Sequence, residues 1–237
     1  MRLFHKFFKR DTKNQEMQAM EQFYSQFITP GDLCFDVGAN IGNRTEVFLK
    51  LGANIVCIEP QESCYTTLKK LYGNNKKVTI LNHGLADKEG FSTLNICENA
   101  PTISTMSDTW MHEGRFSKNY KWTRTQLVPV TTLDQLIEEY GLPKLCKIDV
   151  EGFEFQVLKG LHTQIPYLSF EFTKEFFDNA KNCINHLISI GYNEFNCSIG
   201  ESQQLFSPAW ITHDELYTKL ELYEDVFLWG DIYARCY

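Results

Sequence analysis

Met17, Met20, Phe23, Tyr24 and Phe27 recur at the spacing of one helical face, and Pro30-Gly31 stops that helix before an apolar run. A covering helix therefore precedes the first strand. From there the pattern alternates: strand over Leu33 to Val37, helix over Ile41 to Leu51, strand over Ile55 to Ile58, helix over Glu62 to Tyr72, strand over Val78 to Leu81. Strands separated by helices of this length need parallel crossovers, so the chain reads as an α/β protein with a doubly wound sheet.

The rhythm breaks after the turn-rich Asp87-Lys88-Glu89-Gly90. Phe91 to Ile96 and Leu127 to Val130 read as short strands around a stretch, 97–126, that has no clear period. Loops of that length are uncommon in compact domains unless they act as lids or carry function. This one holds Trp110, His112, Arg115, Phe116, Tyr120, Trp122 and Arg124, a set suited to stacking on and hydrogen bonding to a polar ring, and equally to a hairpin with ordinary surface aromatics. It is expected to be a substrate lid.

Alternation resumes with a helix over Leu133 to Tyr140, capped by Thr131 or Thr132 and closed by Gly141 and Pro143. Strand Leu145 to Val150, helix Phe153 to Leu161, strand Tyr167 to Phe172 and helix Glu175 to Ile190 follow. The remainder offers strand Glu194 to Cys197, a helix announced by the Thr212-x-x-Glu215 capping box, and a last strand near Val226 to Ala234. The pattern divides the chain into a basic segment with its covering helix, 1–30, and a single domain over 31–237.

Charge removes one class of partner. With 23 basic against 30 acidic side chains the net charge is −7, a field that repels nucleic acid. The eight cysteines are scattered without a C-x-x-C pair, which suits reduced thiols in a cytoplasmic protein better than a disulfide framework or a zinc site. No apolar run is long enough to span a membrane. In the first ten residues Leu3, Phe4, Phe7 and Phe8 fall on one side of a helix and Arg2, Lys6, Lys9 and Arg10 on the other, a pattern that allows weak membrane-surface contact through residues 2–10 and fits a short packed helix or frayed tail better. The pattern leaves oligomeric state open.

The chemistry concentrates where the first strand hands over to a helix, at Asp36-Val-Gly-Ala-Asn-Ile-Gly42. Gly38 and Gly42, with Ala39 and Asn40 between them, shape a sharp turn of the kind that holds nucleotides at the switch point of an open sheet. The spacing is not the G-x-G-x-x-G of a dinucleotide loop, and Asp36 places a negative charge that opposes a diphosphate and complements an ammonium group. Both features favour S-adenosylmethionine over NAD. Glu59, followed by Pro60 at the end of the second strand, is positioned to accept hydrogen bonds from both ribose hydroxyls.

These blocks resemble the FkbM-type methyltransferases, together with Cys57-Ile-Glu-Pro60, Leu81-Asn-His-Gly-Leu-Ala-Asp87 with Gly90 after it, Val130-Thr-Thr-Leu-Asp134, Lys147-Ile-Asp-Val-Glu-Gly152 and Val157-Leu-Lys-Gly160. The resemblance implies a class I methyltransferase fold, Rossmann-like, mostly parallel and with an antiparallel C-terminal edge strand. It implies O-methylation of a sugar, glycan or natural-product hydroxyl. It also places Gly84 and Leu85 against the adenine ring, with backbone groups or Asp87 standing in for the acid that many class I enzymes use there.

Asp149 ends a central strand of apolar neighbours, where a carboxylate needs a partner or a function. Glu171 ends the following strand, so the two are expected to meet in one cleft. Asp149 and Glu171 lead as candidate bases, ahead of His112 in the lid and His83; Glu151 is accounted for by the helix it opens. Two carboxylates are fewer oxygens than magnesium gathers, so no metal is expected. An NAD-linked oxidoreductase or epimerase, and a non-catalytic cofactor-binding protein, are the alternatives.

Overall fold

The computed structural model describes residues 14–236, so the basic segment 2–10 lies outside the described residues. The description opens in helix α1 (14–24). There follow β1 (Leu33–Val37), α2 (Asn43–Lys50), β2 (Asn54–Ile58), α3 (Glu62–Tyr72), β3 (Val78–Leu81) and the two-residue β4 (Gly84–Leu85). Then come β5 (Gly90–Ile96), α4 (Asp108–Glu113), β6 (Arg124–Thr131), α5 (Leu133–Tyr140), β7 (Leu145–Ile148) and α6 (Glu154–Leu158). The chain closes with β8 (Tyr167–Thr173), α7 (Phe177–Ser189), β9 (Glu194–Ile199), α8 (His213–Glu221) and β10 (Trp229–Arg235).

Seven strands form one sheet in the order β3-β2-β1-β7-β8-β10-β9. The first five run parallel, and β10 enters antiparallel between β8 and β9. The C-terminal strand is thus antiparallel as expected, but it is not at the edge: β9 takes that place. Burial gives the reason, since Ile232, Tyr233 and Ala234 are all within 1 % of full burial and need sheet on both sides.

The two faces carry different cargo. On one, Phe35, Val37, Ile148 and Phe170 pack in a core with Leu136, Leu158, Ile184 and Leu216 from α5, α6, α7 and α8. On the other, Phe23, Tyr24 and Phe27 form an aromatic cover with Phe48 and Tyr233, Phe27 stacking on Tyr233 at 5.3 Å. The period of two then sets a polar row on this second face: Asp36 lies opposite Lys147, Lys147 opposite Ser169, and Ser169 opposite Tyr233. One step toward the carboxyl ends of the parallel strands, Glu171 pairs with Asp231 and lies near Asp149.

The helix ends follow their local chemistry. Thr132 forms a capping box with Gln135, and Thr212 one with Glu215. A second, three-stranded sheet, β4-β6-β5, stands beside the first and carries the aperiodic stretch between β5 and β6. That stretch is folded. Thr105 bridges back to Asn95, Trp122 Nε1 donates to the Ile103 carbonyl at 2.8 Å, and Trp110 is 3 % exposed. Both tryptophans of the expected stacking set thus pack within the insert, Trp110 also bordering a cavity. No helix among the described residues is long and apolar enough to cross a membrane.

Candidate active site

The glycine loop sits at the carboxyl end of β1. Gly38, Asn40 and Gly42 all have positive φ, at 78°, 50° and 91°. A Cβ on Gly38 would stand 1.8 Å from the Asp149 carbonyl oxygen, and one on Gly42 would stand 2.7 Å from the Tyr72 ring. The protein's own packing, and not only a ligand, demands both glycines.

Glu59 pins this loop to the end of β2. Its Oε2 accepts the Asn40 N–H at 2.7 Å and its Oε1 accepts the Gln61 N–H at 2.8 Å. Each oxygen keeps a second lone pair, which is what two ribose hydroxyls require. Burial pushes the Glu59 carboxyl up to about 7 against the pull of those two N–H groups. Asp36 is also raised by burial, opposed by the Thr45 hydroxyl, which donates to it at 2.6 Å, and by Lys147.

Two cavities meet at the loop. One, lined by Glu59, Pro60, His83, Gly84 and Leu85, has the expected adenosine residues on its wall. The other, about 260 Å³, is lined by Asp36, Ala39, Arg44, Lys147 and Glu201. Gly38, Asn40, Thr102, Asp149 and Glu151 border both. Asp87 does not join them: it pairs with Lys159 at 3.3 Å on the surface, so it does not stand in for the missing adenine-binding acid. His83 instead borders the slot, with a buried Nδ1 that has no partner among the described residues.

The expected meeting of Asp149 and Glu171 is present, and it includes Glu151. Oxygens of the three carboxylates lie within 4.8 Å of one another. Lys147, 1 % exposed, reaches Asp149 at 3.2 Å and Asp231 at 2.8 Å, and those two acids hold its ammonium well above the ordinary range although burial pulls it down. Glu151 and Glu171 form no ion pair among the described residues. Burial, then mutual and neighbouring negative charge, raises both well above the usual carboxylate range.

Glu171 also borders a third cavity of about 320 Å³, with Trp110, Gly152, Phe153, Phe176 and Asn179, a volume at the lower end of the ~300–1,000 Å³ usual for small-molecule sites. His112 is exposed on the outer side of α4 and borders none of these cavities, so the structure does not bring it to the acids. Glu151, Lys147, Arg44 and Thr105 are the participants that sequence reasoning passed over. Lys147 and Glu151 were visible within the Lys147-to-Gly152 block, whereas nothing in the sequence signalled Thr105.

Residues 36–207 match the methyltransferase FkbM domain. The chain belongs to that family. The FkbM match covers the glycine loop, Glu59, the insert and the acid trio, and it sets aside the oxidoreductase alternative. Among curated proteins the chain is similar to the hexuronic acid methyltransferase AglP of Haloferax volcanii, 26 % identical over 142 residues, which is 59 % of this chain and 54 % of the relative. The chain thus matches about half the length of that relative. Among solved structures it is similar to a precorrin-6y C5,15-methyltransferase of Geobacter metallireducens, with TM-score 0.47 and 8 % identity over 95 % of this chain and 89 % of that one. It is likewise similar to a TehB-like SAM-dependent methyltransferase of Corynebacterium glutamicum, with TM-score 0.47 and 9 % identity over all of both chains. The FkbM domain here is built on a mostly parallel seven-stranded α/β sheet.

Proposed function

We propose that the protein is an S-adenosylmethionine-dependent O-methyltransferase acting on a hydroxyl of a sugar, glycan or natural-product acceptor, with residues 97–126 as its substrate lid. The observation that carries this reading is the convergence of Asp149, Glu151 and Glu171 beside a glycine loop whose carboxylates complement a cationic amino-acid nucleoside. Glu59 holds the ribose, Gly84 and Leu85 wall the adenine, and Asp36, Asp149 and Arg44 surround the methionine end. Bound there, the cofactor supplies an electrophilic methyl group.

The protein's own work is then to align an acceptor oxygen, exclude water and take a proton. Orientation supplies roughly 7–11 kcal/mol in such reactions, more than the ~10²–10⁴-fold given by a general base. Glu171 is the base candidate that faces the third cavity. Asp149, already ion-paired to Lys147, is better suited to orient that lysine and face the ammonium than to accept a proton.

Calorimetry with S-adenosylhomocysteine and with NADH, followed by transfer of a labelled methyl group to a panel of hydroxyl acceptors, tests the proposal. Binding of S-adenosylhomocysteine alone, with an alkali-stable product, is expected. Binding of NADH alone would overturn it.

A further inference from the structure

Glu151 stands in an unusual backbone state. Its φ of 56° is left-handed, a region that non-glycine residues enter at a cost and hold only where their surroundings impose it. Here the insert imposes it: Thr105 Oγ1 donates to the Glu151 carbonyl at 2.7 Å, and the same hydroxyl accepts the Ser107 N–H. Held so, the side chain borders both cofactor cavities, and its carboxylate lies within 4.8 Å of Glu171, which borders the third. Neither carboxylate has a hydrogen-bond or ion-pair partner among the described residues. Trp110, on the wall of the third cavity, likewise has a buried Nε1 with no partner among the described residues.

We propose that Glu151 and Glu171 share a proton that is expelled when a sulfonium binds at the junction of the two cofactor cavities, and that Thr105 is the residue positioning Glu151 for this. The proposal rests on the cofactor assignment above. The pair would then be a base only while the methyl donor is aboard. During transfer the acceptor oxygen bonds the methyl carbon, the carbon–sulfur electron pair stays on sulfur, and the acceptor's proton goes to the pair. Loss of the positive charge and regain of the proton thus coincide, and the site returns to its resting charge.

The charged surroundings allow this. From β7 and the turn after it come Asp149 and Lys147, from β10 Asp231, and from α6 Glu154, whose Oε1 is occupied by the Val150 and Gly152 N–H groups. Arg115 of the insert is bound bidentately by Glu175 and Lys147 by its two aspartates; both still draw the pair down in part, but neither forms an ion pair with it among the described residues. Burial together with this excess of negative charge keeps a proton on the pair to higher pH than on ordinary carboxylates.

The test is calorimetry of the full chain in EDTA, with S-adenosylmethionine and S-adenosylhomocysteine, in buffers of different ionisation enthalpy. The two ligands differ at the sulfur, so protons exchanged at Glu59 or Asp36 cancel in the difference. An excess release approaching one proton for S-adenosylmethionine is expected near neutral pH. It should be lost in Glu151→Gln and in Glu171→Gln, reduced in Thr105→Val and retained in Thr105→Ser. Equal proton release by the wild-type protein would overturn the proposal whatever the variants do, and an undiminished excess in Thr105→Val would overturn the role of Thr105. Binding of neither ligand would instead overturn the cofactor assignment.

Discussion

The Gly38 α-carbon faces the Asp149 carbonyl so closely that a single added carbon would lie 1.8 Å from that oxygen. This contact joins the ends of β1 and β7, and it is reinforced by the Asp149 N–H, which donates to the Val37 carbonyl at 3.0 Å. The glycine loop and Asp149 are therefore packed together, so that a shift of either strand end disturbs the other.

Gly38→Ala meets that backbone as well as the cost of positive φ, about 1–2 kcal/mol for an L-residue. Loss of S-adenosylhomocysteine binding and destabilisation beyond about 2 kcal/mol are expected, measured by calorimetry and denaturant unfolding. Gly31→Ala is the control, since its φ is 96° but nothing lies within 4 Å of the added carbon. It should lose only the conformational part and bind ligand normally. Equal losses in the two variants would show that the contact with Asp149 is unimportant.

Much of this architecture was legible because local signals agreed. The helices at Glu62–Tyr72 and Leu133–Tyr140 fall where their apolar spacing put them, and Thr212 caps its helix through Glu215. Asp36, Glu59, Asp149 and Glu171 all lie within two residues of the carboxyl ends of their strands, which alternation locates. What sequence did not reveal depends on contacts between distant segments. The insertion of β10 inside β9 is decided by burial on both its flanks, and the clamp from Thr105 to Glu151 spans two elements with no shared period. His112 falls outside the cavities for the same reason: an aperiodic insert does not disclose which side of α4 faces in, and Trp110 takes that side.

Lys147 should prove hard to replace. It is buried between Asp149 and Asp231, and its removal leaves two carboxylates without their cation. Breaking a buried pair from one side costs roughly 3–5 kcal/mol. Lys147→Met is expected to unfold at markedly lower denaturant, and Lys147→Met with Asp231→Asn to recover part of the loss, since the second change removes one stranded charge. No recovery in the double variant would mean that the lysine acts through packing alone.

Glu59 and Glu154 are both raised by burial to about 7. A carboxyl whose folded value exceeds its unfolded one binds more protons in the native state, so stability falls as pH rises through the window between them, here from about 4.5 to about 7. Two such groups together lose several kcal/mol across it. The melting temperature of the ligand-free protein should therefore decline from pH 5 to pH 8, and Glu154→Gln should flatten the decline, because its amide oxygen can still accept the Val150 and Gly152 N–H groups. Asp134 and Glu215, whose values are lowered, act in the opposite sense only in more acidic solution. A melting temperature that rises over this window would contradict the assigned direction.

Ligand binding should reverse that trend at Glu59. Ribose hydroxyls donate to the ionised carboxylate, so S-adenosylhomocysteine should bind more tightly as pH rises through about 7. Glu59→Gln, which exchanges one acceptor oxygen for a donor, should weaken binding by about 10–100-fold, the cost of one or two lost charge-assisted bonds of roughly 1.5–3 kcal/mol. It should also remove the pH dependence. An unchanged dissociation constant in Glu59→Gln would mean that the ribose lies elsewhere.

The charge of the site should select an uncharged acceptor over a hexuronate. A carboxylate acceptor needs no base and gains from nearby cations. The third cavity here has Glu171 on its wall and no lysine or arginine. Lys147 and Arg115, the cations nearby, are bound to carboxylates of the protein. An anion brought to this site meets Asp149, Glu151 and Glu171 at close range, where like charges repel strongly. Neutral glycosides are therefore expected to accept methyl groups at least ~10²-fold better in kcat/KM than the matching hexuronides, and the product to be an ether that survives alkali. Glu171→Gln should narrow that discrimination while lowering turnover of the neutral acceptor. A methyl ester released by mild base, formed preferentially on a hexuronide, would show that the acid trio does not set acceptor charge.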